Sequence, residues 1–157
     1  MHNNRKFDIN SYKKNDERAK EAIINYLKES NYKDIESIEN YSFDVTANKD
    51  NIFYLFEVEI KNQWKDVWDW RWKEIRIPER KQKLIDRWKG TWYYESKFIF
   101  TFVVFNTDCT QAWFIDATDV DQSFVGTIQN SKRIGSPHLK EPFFHIPIEQ
   151  AELKKII

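Results

Sequence analysis

Residues 43–63, FDVTANKDNIFYLFEVEIKNQ, decide how the chain folds. Two runs rich in aromatic and β-branched residues, 41–46 and 53–61, flank the turn-rich ANKDN and read as two strands joined by a short hairpin. Strand side chains alternate, so Tyr54, Phe56, Val58 and Ile60 share one face while Phe53, Leu55, Glu57, Glu59 and Lys61 share the other. The first face is wholly apolar and belongs to a core. The second passes from apolar to charged, as a strand does when it leaves a core for a cleft. The hairpin can bring Asp44 beside Glu59 and Lys61, and two acidic oxygens with one lysine on a shared face can build a magnesium site for cutting phosphodiesters.

Upstream, residues 15–30 (NDERAKEAIINYLKES) read as a helix with Ala19, Ala22, Ile23, Tyr26 and Leu27 as its apolar stripe and Asn15 or Asp16 as its cap. Downstream, WKDVWDWRWKEIRIPERKQKLIDRW is ambiguous: Trp64, Trp68 and Trp72 have helical spacing, whereas Trp68, Trp70 and Trp72 alternate as in a strand. An extended segment up to Pro78, then a helix over 79–89 ending at Gly90, fits it best. Residues 97–105 and 111–115 read as a central strand and its antiparallel neighbour around the turn NTDCT. DATDVDQSFVGTIQ reads as a short helix and loop, and EPFFHIPIEQAELKKII as a strand that delivers a last short helix. The whole, residues 1–157, is expected to be a single α/β domain with a mixed central sheet flanked by helices.

Composition narrows the function classes. Aromatics make up 17% of the 157 residues while Gly and Pro number three and four, which argues for an ordered globular chain. The polar start carries no apolar signal core and no run is long enough to span a bilayer, so the cell interior, without a membrane, is the expected location. The lone Cys109 excludes an internal disulfide and a cysteine-based zinc cage, and is expected to be structural. His2, His138 and His145 lack metal-ligand spacing, and neither a Gly-rich phosphate loop nor a Ser-centred elbow is present.

Whole-chain charge is balanced, with 25 basic and 25 acidic residues. Between Lys61 and Lys89, however, ten cations face five carboxylates, interleaved with Trp64, Trp68, Trp70, Trp72 and Trp88. Such a strip suits a phosphate backbone and unstacked bases, and Arg76, Arg80, Lys81 and Arg87 are the expected phosphate contacts. A solvated helix face backed by core tryptophans is the blander reading.

With these elements in place the chain resembles the PD-(D/E)XK, or restriction-endonuclease-like, nuclease superfamily. The resemblance covers the helix, the strand pair carrying Asp44 and Glu59-Ile60-Lys61, the basic helix and the strands after it, about the first two thirds of the chain. Small phage-encoded members are most similar, particularly in the tract IPERK, Ile77 to Lys81, and Phe43 stands where the name-giving proline would be. The resemblance implies that Asp44 and Glu59 each give an oxygen to Mg²⁺ or Mn²⁺, that the Ile60 carbonyl gives a third, and that Lys61 orients the attacking water. It also implies an acid from the first helix. Helical phase favours Asp16, with Glu21 a further candidate, whereas the resemblance points to Glu17, which is the expected one. Glu57 is a further ligand or, more simply, a neighbour of Glu59 held in an ion pair with a cation.

A metal-dependent deoxyribonuclease acting in recombination, repair, restriction or phage DNA processing is therefore the expectation, with DNA and a divalent metal as partners and a homodimer allowed. A module of the same fold that binds nucleic acid without cutting is the chief alternative. The third reading is an assembly protein whose exposed aromatics form an oligomer interface.

Overall fold

The computed structural model describes residues 9–37, 43–91, 98–127 and 141–157. Its first element is the helix α1 (Ile9–Glu29), which begins before the expected residue 15; the first turns are mainly polar and carry little periodic signal, so the sequence pattern does not reveal them. It stops where Asn31 adopts a left-handed φ of 65° and the Tyr32 amide donates to the Leu27 carbonyl at 3.0 Å, the turn-back expected of an asparagine-terminated helix.

A meander of three antiparallel strands follows: β1 (Lys33–Glu36), β2 (Val45–Lys49) and β3 (Ile52–Ile60). The hairpin between β2 and β3 closes on Asp50 and Asn51 alone, whose φ values of 53° and 66° are those of a two-residue turn that short polar side chains tolerate. Hence β2 starts later than the sequence suggests, at Val45, and Asp44 lies just before it; Tyr41 and Ser42 fall outside the described residues.

From β3 the chain passes through residues 61–73, the strand β4 (Glu74–Pro78), a single 3₁₀ turn (Glu79–Lys81) and the helix α2 (Gln82–Thr91). It then enters β5 (Phe98–Phe105), which pairs parallel to β3 from Phe53↔Phe98 to Ile60↔Phe105. After β5 come β6 (Gln111–Asp116), α3 (Ala117–Asp121), β7 (Phe124–Thr127), β8 (Pro142–Pro147), a second 3₁₀ turn and β9 (Glu152–Lys155). Six strands form one sheet in the order β1-β2-β3-β5-β6-β9, in which only the β3–β5 pair is parallel; β4, β8 and β7 form a smaller antiparallel sheet. The architecture is thus α/β, with a mixed sheet and helices on both of its faces.

Alternation sorts the two cores. On one face α1 lays Ala19, Ile23 and Leu27 against Val45, Phe56, Val58, Val103 and Phe105. On the other, Leu55, Phe100, Phe102, Val104 and Ile115 meet Leu84, Ile85 and Trp88 of α2 and Ile75, Ile77, Phe144 and Ile146 of the smaller sheet. Fully burying each such side chain contributes roughly 1.5–3 kcal/mol, so both layers have a strong reason to close.

Three expectations change. Segment 61–73 is irregular rather than extended, because its tryptophans stack on one another and on Trp113 instead of lining a pleat. The residues after Asp121 form β7, not only a loop. The last element, β9, is a strand: its four residues pair with β6 from Gln111↔Lys155 to Phe114↔Glu152, and this ladder overrides the helical propensity of ELKK.

Candidate active site

Asp44 marks the place where β2 parts from β3. The ladder between them ends at Val45↔Phe56, so the next amide along β3 that needs a partner is served by a side chain: Asp44 Oδ2 accepts from Val58 N at 2.9 Å. Its other oxygen, Oδ1, lies 3.8 Å from Lys20 Nζ of α1, and that ammonium also holds Asp16 at 3.1 Å, one turn away. Beside this fork stand Glu57 and Glu59, brought to one face by the period of β3 and past the end of its apolar half.

Glu57 is only 7% exposed. Its Oε2 accepts from Lys81 Nζ, which arrives from the 3₁₀ turn ahead of α2, while its Oε1 is buried without a hydrogen-bond partner. Burial, reinforced by the Asp44 carboxylate and opposed by Lys81, pushes Glu57 up to about 8. Burial also raises Glu59, against the pull of Lys81, Arg80 and Lys61, with Asp44 adding to the rise. Desolvation works against the charge on Lys81, yet Glu57, Glu59 and Asp44 outweigh it and hold the ammonium above its ordinary range. Asp44, Glu57 and Glu59 therefore share the field of Lys81 towards the end of β3, with Lys20 on the far side of Asp44.

Lys61 is placed differently from what its position in the strand implies. Its Cα continues the face of Glu57 and Glu59, but its ammonium lies 5.1 Å from the centre of the Trp72 ring and donates to Gln63 Oε1 at 3.3 Å. Burial and Arg76 lower its pKa, with Glu59 opposing. Glu17 and Glu21 are exposed on α1, and of the three helix acids only Asp16 connects to the cluster, through Lys20. Ile60 ends β3 beside Glu59.

Of the four expected phosphate contacts, Lys81 stands within the cluster. Arg80 is exposed and paired with Glu141 at 2.7 Å, Arg76 is exposed and paired with Glu74 at 3.4 Å, and Arg87 is exposed on α2. His145 bridges Glu74 and the Gly126 carbonyl within the smaller sheet, whereas His2 and His138 lie outside the described residues. Cys109 is buried in the core under α1.

Sequence reasoning did not assign Glu57 and Lys81 to each other. The signal for Glu57 was its register with Glu59; nothing local signals that a lysine 24 positions later returns to the strand.

Among the described residues, no group of three or more His, Cys, Asp or Glu side chains is placed so that it could hold a metal ion. A hard divalent ion that keeps several waters needs only one or two carboxylates. Crowded carboxylates raised by burial, one of them with an orphaned buried oxygen, are the chemistry that such an ion relieves. Compared with models of known families and with curated proteins, the chain matches none. No helix among the described residues is long and apolar enough to cross a membrane.

Proposed function

We propose that this chain is a Mg²⁺- or Mn²⁺-dependent deoxyribonuclease with a restriction-endonuclease-like core. The observation that carries the reading is the convergence of Asp44, Glu57 and Glu59 with Lys81 where β2 leaves β3. The element order supports it as well: a helix, antiparallel strands bearing the acids, a crossover through a basic helix, then a parallel strand beside the acidic one.

Asp44 and Glu59 would hold the ion, with the Ile60 carbonyl available at the strand end. When bound, the ion supplies Lewis-acid polarisation of the scissile phosphate and lowers the pKa of a water. The protein's own part is to fix and balance charge. Lys20 and the Val58 amide hold Asp44 in one orientation. Lys81 offsets Glu57 and stands ready to offset the charge that builds on a phosphate. Lys61, at the rim, has a stem long enough to exchange its Trp72 face for a phosphate or a water.

One observation favours the rival reading of a module that binds without cutting: Lys61 is held by Trp72 and Gln63 rather than by the acids. Incubating supercoiled and linear DNA with the protein and either Mg²⁺ or Mn²⁺ separates the two. Cleavage that needs the ion and is abolished in Asp44→Ala and Glu59→Ala, with DNA binding retained, supports the nuclease. Binding without cleavage in either metal supports the module.

A further inference from the structure

Segment 61–73 leaves β3 directly after Ile60 and returns as β4. Three tryptophans fix its shape. Trp64, at 0% exposure, meets Trp68 edge-on at 5.2 Å, Trp68 meets Trp72 at 5.0 Å and Trp113 at 5.5 Å, and the Trp68 indole donates to the Trp72 carbonyl at 2.8 Å. Such edge-to-face pairs are worth more than their buried area alone, so the segment is preorganised.

From this framework Trp70 projects with 77% of its surface exposed, forgoing the burial that a large indole would gain in a core. The Lys73 ammonium lies 5.7 Å from its ring centre. Next to it, Lys61, Arg71, Lys73 and Arg76 line a groove of about 430 Å³ with Trp68 and Trp72. Asp69 neutralises Arg71 at 2.6 Å and Glu74 neutralises Arg76 at 3.4 Å. Lys61 and Lys73 each lie over an indole, and neither has a carboxylate within ion-pair distance among the described residues. The groove thus offers two ammonium groups outside any ion pair among the described residues, starting two residues from Glu59, and the exposed Trp70 ring stands beside its lining, next to Lys73.

We propose that this groove, together with the exposed Trp70 ring beside it, is a subsite for an unpaired stretch of DNA, in which Trp70 stacks on a base while Lys73 and Lys61 take neighbouring phosphates. This rests on the nucleic-acid reading above and adds a substrate class to it. Duplex DNA keeps its base faces inside the stack and cannot use Trp70; a splayed or single strand can. A protein surface docking on Trp70 and the exposed Val67 would leave the two ammonium groups without counter-charge.

The test uses the full chain in EDTA, so that cleavage plays no part. Fluorescence anisotropy measures the affinity for a labelled oligothymidylate of about 15 nucleotides and for a blunt duplex of equal length, across a salt series. The parent should prefer the single strand. Trp70→Ala should weaken it by about 5- to 150-fold, the worth of one stacked base, and leave duplex affinity within about twofold. Lys73→Ala should lower the salt slope on the single strand by about 0.7.

Unchanged oligothymidylate affinity in Trp70→Ala, an equal loss on the duplex, or no binding by the parent overturns the subsite. So does a parent dimer that Trp70→Ala dissociates without altering DNA affinity. The nuclease reading fails separately. If Mg²⁺ and Mn²⁺ give no cleavage while the binding pattern holds, the subsite stands without it; if cleavage depends on Asp44 while Trp70→Ala binds normally, the subsite alone falls.

Discussion

Asn106 is expected to be the most sensitive polar position in the protein. It is 0% exposed in the turn between β5 and β6, and both ends of its amide are used. Oδ1 accepts from the amides of Thr110 at 2.9 Å and Gln111 at 3.0 Å; Nδ2 donates to the Lys65 carbonyl at 2.9 Å and to Thr110 Oγ1 at 3.0 Å. One side chain therefore shapes the turn and ties the tryptophan segment to the central strand.

Asn106→Ala removes four hydrogen bonds, each worth a net ~0.5–1.5 kcal/mol, which gives a range of about 2–6 kcal/mol. Two backbone amides in the turn would lose their acceptor, which moves the expectation to about 4–5 kcal/mol, a large share of the ~5–15 kcal/mol that stabilises an ordinary domain. Asn106→Asp keeps the acceptor but turns an oxygen toward the Lys65 carbonyl, and should cost at least as much at neutral pH. Urea unfolding at 25 °C, followed by tryptophan fluorescence, measures both. Limited proteolysis should cut within segment 61–73 of the variants before the parent. If Asn106→Ala lies within about 1 kcal/mol of the parent, the tether is not what holds this segment, and the argument for its rigidity fails with it.

Glu57→Gln should flatten the pH dependence of stability. The folded protein holds the Glu57 proton up to about 8 against an ordinary 4.5, so parent stability should fall as pH rises through that window, by an order of 3–5 kcal/mol. In metal-free buffer the variant should gain on the parent between pH 5 and pH 8.5; parallel urea midpoints across that range would refute this. On the proposed substrate, Lys81→Ala should lower turnover about 10²–10³-fold, as loss of a charge-stabilising donor does, and by more than Lys61→Ala. The reverse order would return the principal role to Lys61. Arg80→Ala should flatten the salt dependence of duplex binding by about 0.9, as one lost phosphate contact does, and an unchanged slope would place Arg80 outside the DNA footprint.

The parts of the fold that were legible are those where one residue type repeats at one period. Tyr54, Phe56 and Val58 against Leu55, together with Ala19, Ile23 and Leu27, announce both core faces of β3 and the docking face of α1. The strands β1, β7 and β9 were not legible, because each has four residues with little apolar alternation, and only pairing with β2, β8 and β6 makes them strands. The tryptophan segment satisfied two periods at once and follows neither. At the site, the placement of Asp44 and Glu59 follows from the hairpin and the alternation. Sequence could place the Cα of Lys61 but not its ammonium, since a flexible four-carbon stem settles on whichever indole or carboxylate lies within reach. The Lys81–Glu57 pair depends on how the crossover returns to the sheet, a property of the assembled layers rather than of any local pattern.

The two margins of the six-stranded sheet bear on how the protein behaves in a crowd of its own copies. At one margin β1 carries Lys33, Asp34 and Glu36, and its ladder shifts register where Asp34 takes a φ of 53°. At the other, β9 carries Glu152, Lys154 and Lys155 around a single Leu153. A strand from another molecule arriving at either margin would meet a short, charged template, broken at β1, and would leave most of its own hydrogen-bonding groups unmatched. In concentrated solutions of the chain, growth into fibres through either margin of the six-stranded sheet should therefore be disfavoured.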